Sequence, residues 1–290
     1  MKRWALLLAT AAAAAPVTAD TGPRDVDALP ASTPTAVVRY GADPLQRAEL
    51  RLPQGKGPHP VAIVIHGGCW TKGFATSRNT AAIASALAAK GIATWNVEYR
   101  QVGEGGAGWP GTFLDWAAAA DHLRKLPGSY GLDLSRVVAV GHSAGAHAAL
   151  WLAARHRLPA ESPIRGGSPL KLKAVVAIDG PGDLARFVGP DAELCGKPVI
   201  APLMGGTLVE RPERYAQASP SARLPLGVSQ YLVAEGVLRP EEAERYRSAA
   251  TKAGDRVEVL SPRGADHFNV IAPGQPQWAE VEALILKAFR

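Results

Sequence analysis

RVVAVGHSAGAHAALWLAARH, residues 136–156, holds a strand signal, a tight turn and a helix signal in that order. Val137-Val138-Ala139-Val140 is a short apolar, β-branched run of the kind that forms a buried strand. The alanine-rich stretch after Gly145 has high helix propensity. Between them lies Gly141-His142-Ser143-Ala144-Gly145, a serine with glycine two places away on either side. A serine on a strained strand-to-helix turn stands clear of the sheet, and the flanking glycines remove Cβ atoms where strand and helix pass closely. Ala144 then offers its N–H at a helix N-terminus, where developing negative charge is favoured. The five-residue pattern alone occurs by chance in many chains; between a strand and a helix it is specific. Ser143 is the candidate nucleophile and Ala144 a candidate oxyanion donor.

Some 75 residues upstream, Val61–Ile65 (VAIVI) is a continuous apolar run of the kind expected for a central strand buried on both faces. His66-Gly67-Gly68-Cys69-Trp70 follows at once. A Gly-Gly loop at a strand end lets backbone N–H groups approach a reacting oxygen without side chains in the way, so Gly67 and Gly68 are candidates for the other half of an oxyanion hole. In isolation the pair would be an ordinary turn; with the serine turn downstream, the catalytic role is the better account. His66 is expected to brace the loop.

Together with Glu98-Tyr99-Arg100 after the next strand, these motifs make the chain resemble the α/β-hydrolase superfamily. More narrowly, it is similar to the esterase/lipase branch that contains hormone-sensitive-lipase-like, feruloyl-esterase-like and kynurenine-formamidase-like enzymes. The resemblance runs from about Ala36 to the C-terminus. It implies a serine nucleophile, a histidine base, an acid and an acyl-enzyme, and it says little about substrate.

The rest of the chain agrees with an α/β fold. Strands are expected at Ala36–Tyr40, Arg47–Leu52, Ile92–Val97, Leu172–Ile178, Gln230–Ala234 and Arg256–Leu260. Helices are expected at Ser77–Lys90, Thr112–Leu126, Glu241–Ala253 and Gln277–Phe289. Strands alternating with helices predict a mostly parallel central sheet with helices on both faces. Residues 180–229, dense in proline, break the alternation and are expected to form a small cap-like insertion over the pocket. Gly103–Gly111 is a glycine-rich loop near the pocket rim, with Trp109 either walling the substrate site or serving as filling. The domain plan is therefore a leader over residues 20–35, expected to be mobile, and a single α/β-hydrolase domain over 36–290.

Residues 1–19 have the anatomy of a secretory signal peptide: a basic start, the apolar run Trp4–Ala15, and a small-residue site at Val17-Thr18-Ala19. Cleavage there would remove Lys2 and Arg3 and no acid, lowering the formal net charge of +6 by two. The 290-residue chain has no further segment approaching membrane length, so the mature protein is expected to be secreted or periplasmic, with no membrane span. Its basic residues are scattered, without a like-charge block or interleaved aromatics, and nothing points to nucleic acid. In an oxidising compartment, Cys69 and Cys195 are a candidate disulfide, with two unrelated thiols as the alternative.

His267, in Gly264-Ala265-Asp266-His267-Phe268, follows the last expected strand and comes after Ser143 in chain order, as a general base should. For His142, in the serine turn, no role beyond packing follows from the sequence. No metal is inferred, because no H-E-x-x-H, Cys-x-x-Cys or aspartate-rich loop is present, and no cofactor is needed. The acid is where the chain departs from the resembling enzymes. They carry an aspartate in the loop before the penultimate helix; here that loop reads EGVLRPEE, residues 235–242, with none. Glu235 is assigned as the acid on this basis, Asp183 is the alternative, and Asp266 ranks last because it adjoins His267. A serine esterase acting on a small-molecule ester is the expected activity. Formamidase-type amide hydrolysis uses the same parts, and a hydrolase fold kept for binding is the alternative from another class.

Overall fold

The computed structural model describes residues 21–290, so the proposed signal peptide lies outside the described residues. Eight strands, β1 (Ala36–Arg39), β2 (Arg47–Arg51), β3 (His59–Ile65), β4 (Ala93–Val97), β5 (Leu132–His142), β6 (Ala174–Ile178), β7 (Ser229–Val233) and β8 (Val257–Leu260), form one sheet. Their order is β1-β2-β4-β3-β5-β6-β7-β8. β2 pairs antiparallel with both β1 and β4; every later pair is parallel.

Strand periodicity of two sorts the central residues onto opposite faces. Ile63, Ile65, Val137, Ala139, Val175 and Ala177 join the core under helices Gly111–His122, Ala144–Ala154 and Pro240–Lys252. Their neighbours Ala62, Val64, Val138, Val140, Val176 and Ile178 join the core under helices Ala81–Ala89 and Pro276–Ala288. Each buried Val or Ile contributes roughly 1.5–3 kcal/mol, which is why the central strands read as continuous apolar runs and not as alternations.

The leader is not loose where it is described. Pro23–Ala28 is a short helix whose Val26 is buried in the second core. Arg78 donates from Nε to the Asp27 carbonyl at 2.7 Å, and the Thr35 N–H donates to the Leu50 carbonyl at 2.7 Å. Val26, with Leu29 partly buried against the same core, and these backbone contacts dock a segment whose composition is mostly polar. The insertion over 180–229 contains four short α-helices, Leu184–Phe187, Pro190–Leu194, Ile200–Met204 and Pro212–Ala218, and the 3-10 turn Pro220–Arg223. Its Leu184, Ile200, Leu203 and Tyr215 belong to the same core as the sheet. Trp109 ties the glycine-rich loop to this insertion by donating its N–H to the Leu203 carbonyl at 2.8 Å. Its ring faces Phe113 and Arg214, which is the filling role. Among the described residues no helix is long and apolar enough to cross a membrane.

Candidate active site

Ser143 sits between β5 and the helix Ala144–Ala154 with φ 55° and ψ −120°, a conformation that non-glycine residues adopt only under constraint. Its N–H donates to the Ile178 carbonyl at 2.9 Å, which ties the turn to the end of β6. The two motif glycines are required by space. A Cβ on Gly141 would lie 1.9 Å from the Gly145 carbonyl oxygen, and one on Gly145 would lie 2.1 Å from that of Ile65. As the first helical residue, Ala144 has no acceptor for its N–H within the helix.

The His-Gly-Gly loop comes up against this turn: a Cβ on Gly67 would stand 2.8 Å from the Ser143 Cβ. Gly68, Cys69 and Trp70 all have positive φ. What holds so strained a loop is a buried brace. His66 reaches Glu98 through Nε2 at 3.0 Å and stacks on Tyr99, whose hydroxyl donates to the His66 carbonyl at 3.0 Å. Glu98 also accepts from the N–H and hydroxyl of Ser77, at 3.0 and 3.1 Å. Burial pushes the Glu98 carboxyl up, but the His66 charge and hydrogen bond and the two bonds from Ser77 outweigh it and hold it at about 2.

A carboxylate lowered on folding stabilises the protein above its unfolded value, here 4.5, and that stabilisation is lost as pH falls through about 2. The depression corresponds to ~3 kcal/mol. Glu98→Gln is therefore expected to lower stability at neutral pH and to flatten its decline between about pH 4.5 and 2. Urea unfolding of both proteins across that range measures the difference; parallel curves would refute it.

His267 lies in the loop after β8, and its Nδ1–H donates to Asp179 Oδ2 at 2.6 Å. The carboxylate bonded to His267 is thus Asp179 and not Glu235, the residue expected. Asp179 is the residue immediately after β6, buried and at φ 45°. Its other oxygen, Oδ1, accepts from the N–H groups of Leu238 at 2.8 Å, Val237 at 3.0 Å and Glu235 at 3.3 Å. Burial opposes ionisation, yet the His267 bond and charge and the Leu238 and Val237 donors prevail and lower the carboxyl. The loop expected to supply the acid instead supplies the backbone donors that hold it.

Glu235 makes no side-chain hydrogen bond to His267. Burial and the adjacent Asp179 charge raise its carboxyl, as a second acid beside an ionised one should be raised. The physical reason is sheet order. β6 lies directly beside β5 and the serine turn, whereas Glu235 lies in the loop after β7, one strand farther out. Asp183 makes no hydrogen bond to the imidazole and caps the helix Leu184–Phe187, accepting from the Arg186 N–H at 3.2 Å. Asp266 shapes its own loop by accepting from the N–H groups of Phe268 and Asn269, at 2.8 and 2.7 Å.

His142 has more to do than fill space. Its Nε2–H donates to the His267 carbonyl at 2.8 Å, and the two rings lie 4.4 Å apart. Burial and the facing His267 charge push it down to about 3, so it stays neutral and keeps this donor geometry at physiological pH. The middle of the serine motif thus fixes the backbone of the histidine loop.

Ser143 and His267 line one cavity of about 270 Å³, with Cys69, Trp70, Phe187 and Val237 among its walls. Cys69 and Cys195 are joined, with Cα atoms 6.1 Å apart across 126 residues of sequence. The bridge binds the His-Gly-Gly loop to the insertion, and Trp70 meets Phe187 edge-on beside it. Among the described residues no cluster of His, Cys, Asp or Glu could hold a metal ion.

The BD-FAE family profile matches residues 49–235, more than half of the chain. The chain belongs to the BD-FAE family. The BD-FAE match takes in Gly67, Gly68, Ser143 and Asp179 and stops short of His267. The esterase LipC of Mycobacterium tuberculosis is 29% identical over 245 residues, 79% of this chain and 58% of that protein. The BD-FAE chain therefore spans little more than half of that relative's length.

Among solved structures, a truncated carbohydrate esterase from gut microbiota superposes with a TM-score of 0.72 at 20% identity, covering 89% of this chain and 98% of that one. Esterase B from Lactobacillus rhamnosis gives a TM-score of 0.72 at 22% identity, covering 92% and 89%. Both likenesses are of fold. They show that this BD-FAE chain has the α/β-hydrolase fold, a mostly parallel sheet with helices on both faces.

Proposed function

We propose that the protein hydrolyses carboxylic esters through an acyl-enzyme on Ser143. The observation that carries this is the 2.6 Å bond from His267 Nδ1 to buried Asp179, with His267 sharing a cavity with a serine held on a strained turn. With Nδ1–H committed to Asp179, the His267 Nε2 is the free base that takes the Ser143 proton. Ser143 Oγ attacks the ester carbonyl, and the N–H of Ala144 with that of Gly67 or Gly68 holds the oxyanion. The imidazolium, stabilised by Asp179, then gives its proton to the departing alcohol. Water repeats the cycle on the acyl-enzyme and releases the acid. The esterases among its relatives support this reading. The signal-like residues 1–19 and the Cys69–Cys195 bridge support a secreted or periplasmic site of action.

A serine-reactive fluorophosphonate tests it. The wild type is expected to be labelled and to cleave p-nitrophenyl acetate, and Ser143→Ala to do neither. A folded wild type that takes no label would refute the assignment.

A further inference from the structure

A second cavity of about 660 Å³ adjoins the serine cavity, and the two share Pro181, Phe187, Leu194 and Val237 in their linings. Whole small-molecule sites span roughly 300–1,000 Å³. The chamber at Ser143, about 270 Å³, falls just below that range, whereas the outer one lies well inside it. The pair is thus proportioned for a substrate with one small end and one large end.

Which end goes where follows from the proton. The departing alcohol must leave beside His267, which protonates it. The loop that carries Gly236 and Val237 walls the inner chamber with His267, then continues as Leu238 and Arg239 along the outer one. Cys69 and Trp70, next to the oxyanion glycines, touch only the inner chamber. The large chamber therefore lies on the leaving-group side.

Its chemistry is mixed and balanced. Leu238, Tyr246 and Ala249 contribute apolar surface, with three arginines (186, 239, 245) against three acids (183, 241, 242). Glu242 already bridges Arg186 at 3.2 Å and Arg245 at 3.3 Å. The formal charges cancel, so the chamber carries no net charge that would favour an ionic ligand.

Resting on the esterase reading above, we infer that the preferred substrates join a short acyl group to a large, uncharged alcohol with an extended apolar face, seated in the outer chamber. Two ester series test this: acetates of methanol, benzyl alcohol and 9-anthracenemethanol, and ethyl esters of acetic, hexanoic and dodecanoic acid. kcat/KM is expected to rise at least about tenfold along the first and to fall along the second. Ala249 is exposed on its helix and borders only the outer chamber. Ala249→Trp should shrink the anthracenemethyl-to-methyl preference by about tenfold, with Ala249→Leu between.

Binding is measured separately, by fluorescence titration of Ser143→Ala with free 9-anthracenemethanol. The Ala249→Trp change is expected to weaken it about tenfold. Tighter binding of a carboxylated or aminated anthracene, a gain along the acyl series, or binding indifferent to Ala249→Trp would overturn the proposal. If no ester is cleaved, the catalytic reading fails, while the titration still decides the chamber.

Discussion

Asp179→Asn is expected to lower kcat on esters by about 10⁴-fold while leaving the fold intact. Asparagine tolerates the left-handed backbone at this position better than most residues, and it is nearly the same size as aspartate. The loss follows from tautomer chemistry. The N–H groups of Val237 and Leu238 face Oδ1 at 3.0 and 2.8 Å, so the amide must turn its oxygen to them and its NH₂ to His267. An NH₂ donor forces Nδ1 to accept, which moves the imidazole proton to Nε2. That nitrogen then has no lone pair for the Ser143 proton. Glu235→Gln is the control and should change kcat by less than about threefold, since it removes no bond to the ring. Steady-state kinetics on both variants decide between them. A severe loss in Glu235→Gln with Asp179→Asn active would return the acid to the loop after β7.

Removing the disulfide has the second large effect. The Cys69–Cys195 bridge closes a span of 126 residues, for which the chain-entropy relation gives about 4–5 kcal/mol. The Cys69→Ser, Cys195→Ser double variant is therefore expected to unfold at markedly lower denaturant, with a melting temperature lower by on the order of 10 °C. KM should rise as well, because Cys69 lies between Gly68 and Trp70 and Cys195 lines the same cavity. Denaturant titration and a native thiol count read these out. Two reactive thiols in the wild type, or an unchanged midpoint in the variant, would contradict the expectation.

The serine turn could be read from residues 136–156 because every constraint on it is local. A β-branched run, a turn that excludes two Cβ atoms and an alanine-rich helix are neighbours in the chain. The parallel sheet and the His-Gly-Gly loop were legible for the same reason: periodicity and strand-end glycines act within a few residues. Cys69 and Cys195 are no more than a candidate pair in the sequence, since a Cα separation is not a property of sequence.

The acid needed the tertiary structure. Asp179 and His267 stand 88 residues apart, and what joins them is the placement of β6 beside β5. Along the chain, Asp179 and Glu235 each follow directly on an expected strand, Leu172–Ile178 and Gln230–Ala234, so local position does not separate them. Sequence alone determined a serine turn on a parallel sheet, because steric exclusion and strand periodicity are local. Only the folded protein decided which carboxylate meets the histidine, because that depends on strand order and on which loop turns its N–H groups inward.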